Sequence, residues 1–289
     1  MGSLEDRARR AYAAWATYGR KEQFLLDYPA PTDARWGFGQ PLNGPLLARL
    51  EPAVAPALAL LERHGASLEL DGVPDTAAPG TLDPSWTTGY VSPLDGAMLC
   101  AVLAEHRPAR YVEIGSGTST KFARRTVDLL GLGTTLCSID PQPRAEVDQL
   151  CDEVVRADLQ TVGLDRFEAL GAGDVVFFDG SHRALMASDV AVFFFEVLPR
   201  LAPGVVVHVH DIFLPADYPP EWRHRSYSEQ YVVGAALLGD PSIEVVAPNH
   251  LLSLTAAEEL AAFWDGVGVR LPEQPAYDNS LWLRTSAAG

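Results

Sequence analysis

The chain has 289 residues, 47% of them hydrophobic, with a formal net charge of −16 and a pI near 4.7. This length and apolar content favour one α/β domain with appendages over two full domains. The acidic charge argues against a nucleic-acid partner, because contacts to a phosphate backbone need clustered Lys and Arg.

Neither targeting signals nor cysteine pairing is expected. The first residues lack the apolar core of a signal peptide, and we expect no segment apolar enough to span a membrane or hold the protein on one. The three cysteines, Cys100, Cys137 and Cys151, form no C-x-x-C pair and are expected to be reduced and buried. A cytoplasmic enzyme is therefore the default expectation.

Residues 1–90 show no alternation of strands and helices, and we expect them to form an N-terminal helical region. Residues 11–28 are predicted to be a helix with an aromatic stripe. A second helical region is predicted over residues 41–64, interrupted or kinked at Pro52 and Pro56, and a Gly-, Pro- and Asp-rich loop over residues 71–84. This region would serve as a lid over the substrate or as an oligomer contact, and both alternatives stay open.

A catalytic domain is expected over residues 91–289, beginning with a helix and a strand. Ser92 and Pro93 are a cap and a first-turn proline, and they predict a helix that ends near His106. Residues 110–114 then predict a buried strand. Small residues follow it, and a helix is predicted to end at Gly131.

The loop between this strand and its helix contains Gly115 and Gly117. Glycine permits backbone angles and close approach that a Cβ would hinder, so a ligand could lie against bare backbone here. A tight turn with no ligand would need the same residues. A dinucleotide-binding fingerprint would need a third glycine where the chain has Thr120, which disfavours a Rossmann oxidoreductase.

The next strand is predicted over residues 134–140 and ends in Asp140. This acid lies about where a nucleotide-binding sheet places a carboxylate that accepts hydrogen bonds from ribose hydroxyls. The alternative is a turn aspartate that caps a helix predicted over residues 144–155. Asp158 comes after a short third strand.

Two further strands, predicted over residues 173–182 and 205–212, end in polar side chains and are separated by a helix predicted over residues 183–201. Because the carboxyl ends of parallel strands meet at one edge, these side chains are expected in one crevice. They are Asp179, His182, His210 and Asp211. His208 shares a strand face with His210 but sits further inside, so we expect a core histidine.

The loop over residues 213–227 is aromatic, basic and rich in proline, which suits a substrate wall, although an ordinary crossover would have the same composition. A short helix and two strands, predicted over residues 243–247 and 280–284, close the chain. The elements together predict a Rossmann-like, doubly wound sheet of about seven strands, mostly parallel, with an antiparallel C-terminal strand.

These features resemble class I S-adenosylmethionine-dependent methyltransferases over residues 90–289. The resemblance is closest to the branch that includes catechol and macrolide-sugar O-methyltransferases. It is carried by Glu113-Ile114-Gly115-Ser116-Gly117, Asp140, Asp179-Gly180-Ser181-His182 and His210-Asp211.

The resemblance implies a set of S-adenosylmethionine contacts and a metal site. The cofactor contacts are Glu113, Gly115, Ser116, Gly117, Ser119, Thr120, Asp140, Asp158 and Asp179. Members of this branch hold Mg²⁺ with residues after the fourth and fifth strands, and the matching positions here are Asp179, His210 and Asp211. A nitrogen ligand at His210 suits Mg²⁺ poorly and would favour Mn²⁺, Fe²⁺ or Zn²⁺, or a site with no metal.

His182 and His210 are the candidate catalytic residues. An imidazole that titrates near neutrality can take the proton of a substrate hydroxyl. His182 lies three residues after Asp179, where catechol methyltransferases have a catalytic lysine. The alternative is that His182 caps the following helix and that Asp179 binds a loop amide.

The resemblance thus implies methyl transfer to a hydroxyl of a small molecule, such as a sugar or another natural product. N-methylation stays open. Another alternative is a related enzyme that uses S-adenosylmethionine for cyclisation, rearrangement or transfer of a different group. A third is a non-catalytic protein that binds the cofactor. A homo-oligomer is compatible with each of them.

Overall fold

The computed structural model describes residues 33–78, 80–143, 147–271 and 277–287, which all belong to one compact unit, Thr32–Gly289. The helix predicted over residues 11–28 lies outside these residues. The described part begins with two helices, α1 (Gly44–Leu50) and α2 (Val54–Gly65), and a 3₁₀ turn at Glu51–Ala53 joins them. The interruption predicted at Pro52 is confirmed. No interruption occurs at Pro56, because this proline lies in the first turn of α2, where its missing N–H needs no partner within the helix.

One stretch of the described residues, Gly44–Gly65, is by length and composition apolar enough to cross a membrane, with 22 residues and a mean hydropathy of 1.3. The expectation that no segment reaches this level is thereby corrected. Leu50 in α1 and Leu61 in α2 are nevertheless fully buried against the rest of the fold. The two helices therefore pack one face against the fold, with 33% of the apolar window buried, and a single apolar stretch of this kind is weak evidence for a membrane span.

Seven strands form one sheet in the spatial order β3-β2-β1-β4-β5-β7-β6. They are β1 (Arg110–Ile114), β2 (Thr135–Ile139), β3 (Glu153–Val155), β4 (Val175–Phe178), β5 (Val206–Val209), β6 (Ile243–Pro248) and β7 (Leu281–Thr285). The first five pair in parallel, and β7 runs antiparallel to both β5 and β6. The predicted Rossmann-like sheet with an antiparallel C-terminal strand is confirmed.

The remaining helices connect the strands. They are α3 (Pro93–His106), α4 (Thr118–Leu129), α5 (Asp165–Glu168), α6 (Asp189–Val192), α7 (Glu229–Gly239), α8 (Asn249–Thr255) and α9 (Ala257–Gly266). Helix α3 begins where the sequence predicts, because the Ser92 hydroxyl accepts a hydrogen bond from the amide of Asp95 at 3.0 Å.

A separate hydrophobic core covers each face of the sheet, since successive side chains of a strand point to opposite faces. Tyr111 of β1 and Phe177 of β4 belong to one core, with Met98 of α3. Val112 of β1 and Phe178 of β4 belong to the other. Polar side chains are thereby left to the ends of the strands, where a site can form.

Two predicted helices have other boundaries. The helix predicted from residue 183 begins at Asp189, because Asp189 accepts hydrogen bonds from the amide and hydroxyl of Ser181 and holds the intervening loop open. This helix continues as a π-helical turn, Phe193–Val197. Of the helix predicted over residues 144–155, residues 144–146 lie outside the described part of the chain. The rest of this prediction is wrong, since Asp148–Leu150 form only a 3₁₀ turn and Glu153–Val155 pair with β2 as a strand.

Candidate functional site

The loop after β1 lies against the end of β4. Gly115 has a φ of +83°, and a Cβ at this position would lie 1.9 Å from the backbone oxygen of Asp179. Only glycine fits there. A Cβ at Gly117 would meet nothing within 4 Å, so the backbone of this second glycine borders open space. The loop therefore offers bare backbone at the edge of the sheet, as the sequence predicts.

Glu113 lies buried beneath this loop and braces it. Tyr111 donates a hydrogen bond to Oε1 of Glu113 at 3.2 Å, and the Thr120 hydroxyl donates to Oε2. The same Thr120 oxygen accepts the amide of Gly117 at 3.0 Å. Burial raises the pKa of Glu113 to about 7, against the opposing effect of hydrogen bonds from Ser119, Thr120 and Tyr111. Glu113 thus supports the glycine loop through Thr120, and its predicted contact with the cofactor stays a prediction.

Asp140 lies beside the glycine loop. Its Oδ2 accepts the amide of Ser116 at 2.9 Å, and its Oδ1 accepts the amide of Gln142 at 2.7 Å. Ser116 is held from below by a 2.7 Å hydrogen bond between its hydroxyl and that of Ser138. Asp158 is exposed and precedes a 3₁₀ turn, Leu159–Thr161, after β3. The placement of Asp140 next to the loop is confirmed, and the ligand roles of both acids stay predictions.

The ends of β4 and β5 bring a second set of residues together. Nε2 of His182 lies 3.1 Å from Oδ1 of Asp179 and 3.3 Å from Oδ2 of Asp211. Nε2 of His210 lies 4.0 Å from Oδ1 of Asp211. The predicted convergence of these four side chains is confirmed.

A fifth member of this cluster, Glu229, is not among the site residues predicted from the sequence. It stands in the first turn of α7, is fully buried, and places Oε2 at 2.8 Å from Nδ1 of His182. Its other oxygen, Oε1, has no hydrogen-bond partner within the described residues. The sequence carries no signal for this role, because acids are common in the first turn of exposed helices.

Three carboxylates therefore surround one imidazole. Burial alone would lower the pKa of His182, but its contacts with Asp179 and Glu229 and the charge of Asp211 raise that pKa well above its ordinary value. Burial would raise the pKa of Asp179, but His210 and His182 lower it to about 2. Burial raises the pKa of Asp211. The raised pKa of His182 favours the imidazolium form, in which both ring nitrogens donate to carboxylates. The role of His182 as a base stays a prediction.

The backbone at this contact is unusual on both sides. His182 has a φ of +60° and Asp211 a φ of +55°, the left-handed region that residues with a side chain rarely adopt. Such conformations persist only where the surroundings enforce them, and they cluster at functional sites. The amides of Ser228 and Glu229 donate to the backbone oxygen of His182 at 2.9 and 3.2 Å, so α7 holds this residue in place.

His208 in β5 and His210 just after it make other contacts. Nε2 of His210 lies 3.0 Å from the backbone oxygen of Tyr90, which can only accept, so this nitrogen carries a hydrogen. Asp179 and Asp211 raise the pKa of His210 against the effect of its burial. His208 stacks on Phe177 with ring centroids 3.6 Å apart, and burial lowers its pKa well below the ordinary value. His208 is a core histidine, as predicted.

The predicted metal ligands Asp179, His210 and Asp211 do not surround an open centre. Across the described ranges, no group of three His, Cys, Asp or Glu side chains is arranged to hold a metal ion. Nε2 of His182 lies between the two aspartates, and Nε2 of His210 is used by a backbone carbonyl. Oδ1 of Asp211 also accepts a 2.8 Å hydrogen bond from Asn279. These residues, as positioned, do not fit a divalent cation.

The loop after β5 places aromatic side chains beside the cluster. We call Trp222, Arg225 and Tyr227 the aromatic wall. The ring centroid of Tyr227 lies 4.5 Å from that of His182. The guanidinium of Arg225 lies 3.7 Å over the ring of Trp222 and 5.5 Å from that of Tyr227. Phe213 and Tyr218 pack edge-on behind these rings. The loop therefore presents flat apolar surfaces and one cation next to the carboxylates.

Comparison with protein families gives a match over residues 112–212 to a model described as a methyltransferase domain. The matched segment runs from β1 to just beyond β5 and contains the glycine loop, Asp140 and the cluster residues Asp179, His182, His210 and Asp211, but not Glu229. Comparison with curated proteins gives no significant match.

Several solved structures are similar in outline. The SAH-bound methyltransferase PaMTH1 of Podospora anserina is 13% identical over 99% of this chain and 98% of its own, with a TM-score of 0.42. The methyltransferase MycE from the mycinamycin biosynthetic pathway, in complex with Mg and SAH, is 17% identical over 70% of this chain, with a TM-score of 0.37. This likeness spans about half of the MycE chain, 52%.

A third similar structure is the branched-chain polyamine synthase of Thermus thermophilus. It is 15% identical over 95% of this chain and 77% of its own, with a TM-score of 0.40. Likenesses this distant do not indicate a shared activity or substrate.

Proposed function

We propose that this chain, which carries a methyltransferase domain on the fold of class I S-adenosylmethionine-dependent methyltransferases, transfers the methyl group of S-adenosylmethionine to a hydroxyl of a small molecule. The single observation behind the proposal is the joining of two half-sites at one edge of the sheet. Gly115, in the nucleotide-type loop, sits directly against the backbone of Asp179, the first residue of the carboxylate–imidazole cluster.

The first half-site suits the nucleoside. Gly117 borders open space, so a ligand can approach its backbone closely. The Asp140 carboxylate stands next to this loop and accepts from backbone amides at present. A carboxylate has about four lone-pair positions, so Asp140 can also accept hydrogen bonds from the ribose hydroxyls.

The second half-site suits the acceptor. The aromatic wall of Trp222, Arg225 and Tyr227 favours a ring-shaped molecule that stacks against it, such as a sugar or an aromatic natural product. Its hydroxyl would then lie at the cluster of Asp179, His182 and Asp211. In this proposal the aromatic wall orients the acceptor, and the cluster removes the proton of its hydroxyl.

The reaction needs little chemistry from the protein. S-adenosylmethionine supplies an activated methyl group; the acceptor oxygen forms a bond to this carbon while the bond from carbon to sulfur breaks. S-adenosylhomocysteine is the second product. The hydroxyl proton passes to the cluster, where the carboxylate of Asp211, whose pKa is raised by burial, receives it. His182 donates to the carboxylates of Asp179 and Asp211 and so keeps them in place.

A natural-product acceptor, a cytoplasmic location, a homo-oligomeric state and the lid or contact role of residues 1–90 stay predictions from the sequence. Transfer of a different group from S-adenosylmethionine remains the alternative function, and its products differ from those of methyl transfer.

Incubation of the purified protein with S-adenosylmethionine and a panel of hydroxylated sugars, phenols and polyketides tests the proposal by mass spectrometry. We expect S-adenosylhomocysteine together with an acceptor heavier by one methylene unit. Formation of methylthioadenosine would instead indicate transfer of the other substituent on sulfur. Binding of the cofactor with no product from any acceptor would favour a non-catalytic role.

A further inference from the structure

The carboxylates of Asp179, Asp211 and Glu229 converge on one imidazole, and this arrangement has the composition of a cation site. Two or three carboxylates around a common centre normally hold a divalent metal, with oxygens about 2.0 to 2.6 Å from the ion. Here a ring nitrogen stands at the centre instead, 3.1 and 3.3 Å from two of the carboxylates. These distances are those of N–H···O hydrogen bonds.

A contact on the Nδ1 side fixes the imidazole of His182 in place. Nδ1 of His182 lies 2.8 Å from Oε2 of Glu229, which is fully buried. If the ring swung away, Glu229 would be left as a buried carboxylate without a partner, which is costly. One of its two oxygens already lacks a partner within the described chain.

The backbone anchors the same residue a second time. Ser228 and Glu229, at the start of α7, donate their amides to the backbone oxygen of His182. His182 and Asp211 both keep left-handed φ values that bring their side chains together. Helix α7 therefore fixes the ring and the backbone of His182 at once.

We propose that the His182 side chain, held by Glu229, occupies the position between Asp179 and Asp211 in which a divalent cation would otherwise bind, and that this crevice therefore works as a metal-independent site. The Nε2 hydrogen takes the place of the ion between Asp179 and Asp211, and Nδ1 holds the ring to Glu229. The inference concerns cation binding and does not rest on the proposed methyl transfer.

The test measures Mn²⁺ binding to the full chain after removal of metals by a chelator, from the electron paramagnetic resonance signal of free Mn²⁺. We expect no binding site in the wild type that depends on Asp179. His182→Gly opens the centre and suits the positive φ, so this variant should bind one Mn²⁺ about tenfold or more tightly than the wild type. The double variant His182→Gly/Asp211→Asn should lose that site.

A matched control is His224→Gly, which removes an exposed histidine of the aromatic loop and should leave Mn²⁺ binding as in the wild type. If circular dichroism shows that His182→Gly is unfolded, His182→Asn replaces it, since asparagine also tolerates a left-handed backbone. A wild-type Mn²⁺ site that Asp179→Asn weakens would overturn the inference. So would a folded His182 variant that binds Mn²⁺ no more tightly than the wild type.

Discussion

Oε2 of Glu229 accepts a hydrogen bond from Nδ1 of His182 at 2.8 Å, and both side chains are buried. This pair couples the first turn of α7 to the cluster at the ends of β4 and β5. A carboxylate behind an imidazole fixes the orientation of the ring and the nitrogen that carries each hydrogen. The catalytic geometry proposed here therefore depends on a residue that touches neither the cofactor nor the acceptor.

Replacing Glu229 with glutamine should slow turnover. Glu229→Gln keeps the volume and an accepting oxygen but removes the charge that holds the His182 ring, so we expect kcat to fall about tenfold or more. The affinity for S-adenosylmethionine should stay unchanged, because the glycine loop is not involved. Glu221→Gln, in the exposed part of the aromatic loop, serves as the control. Equal kcat values for Glu229→Gln and the wild type would remove the positioning role.

Substitution by alanine should have different effects on stability and cofactor binding at the two glycines of the loop. Gly115→Ala places a methyl group 1.9 Å from the backbone oxygen of Asp179 and at a φ of +83°, so we expect a loss of about 2 to 4 kcal/mol of unfolding free energy. Gly117→Ala points its methyl group into open space and should leave stability nearly intact while it weakens cofactor binding.

Denaturant unfolding and calorimetry with S-adenosylhomocysteine separate these two outcomes. A stable Gly115→Ala variant would contradict the close contact between the loop and β4. Wild-type affinity of Gly117→Ala would place the cofactor away from this loop.

His250 makes a contribution to stability that is lost on mild acidification. Burial lowers the pKa of this residue from 6.5 to about 4, against a hydrogen bond to the backbone of Asp278 and the charge of Asp95. Between these two values the unfolded chain binds a proton that the folded protein does not, so stability is lost as the pH falls. From about pH 7.5 to about pH 5, His250 alone should cost about 2 kcal/mol of unfolding free energy.

His250→Asn keeps a donor for the Asp278 carbonyl and does not titrate, so it isolates this contribution. Over the same interval the change in unfolding free energy should be more favourable for His250→Asn than for the wild type by about 2 kcal/mol. Buried carboxyls with a raised pKa, such as Glu113, act in the opposite direction to His250 but do so equally in both proteins. Identical pH dependence in the two proteins would show that His250 is not buried in its neutral form.

The sequence was sufficient for the parts of the site that are set by local backbone rules. Gly115 follows a buried strand and precedes capping residues, and Asp140 ends the adjacent parallel strand, so their proximity follows from sheet geometry. The meeting of Asp179 with Asp211 follows in the same way. These relationships need no knowledge of side-chain packing.

Glu229 and the start of α6 depend on contacts between distant segments, which the sequence does not show. An acid in the first turn of a helix is normally a solvated capping residue, and only the tertiary fold buries Glu229 against His182. Asp189 likewise begins its helix late because it binds the amide of Ser181 across the loop. His182 consequently lies in a strained loop before α6 and does not cap that helix.

The most direct test is calorimetric titration of S-adenosylmethionine and, separately, NAD into the wild type and Asp140→Ala, with Asp165→Ala in α5 as a control. We predict that S-adenosylmethionine binds the wild type and the control at one site while NAD does not, and that Asp140→Ala binds S-adenosylmethionine about tenfold or more weakly. Binding of NAD in place of S-adenosylmethionine, or unchanged affinity in Asp140→Ala, would contradict a sulfonium nucleoside at the ends of β1 and β2.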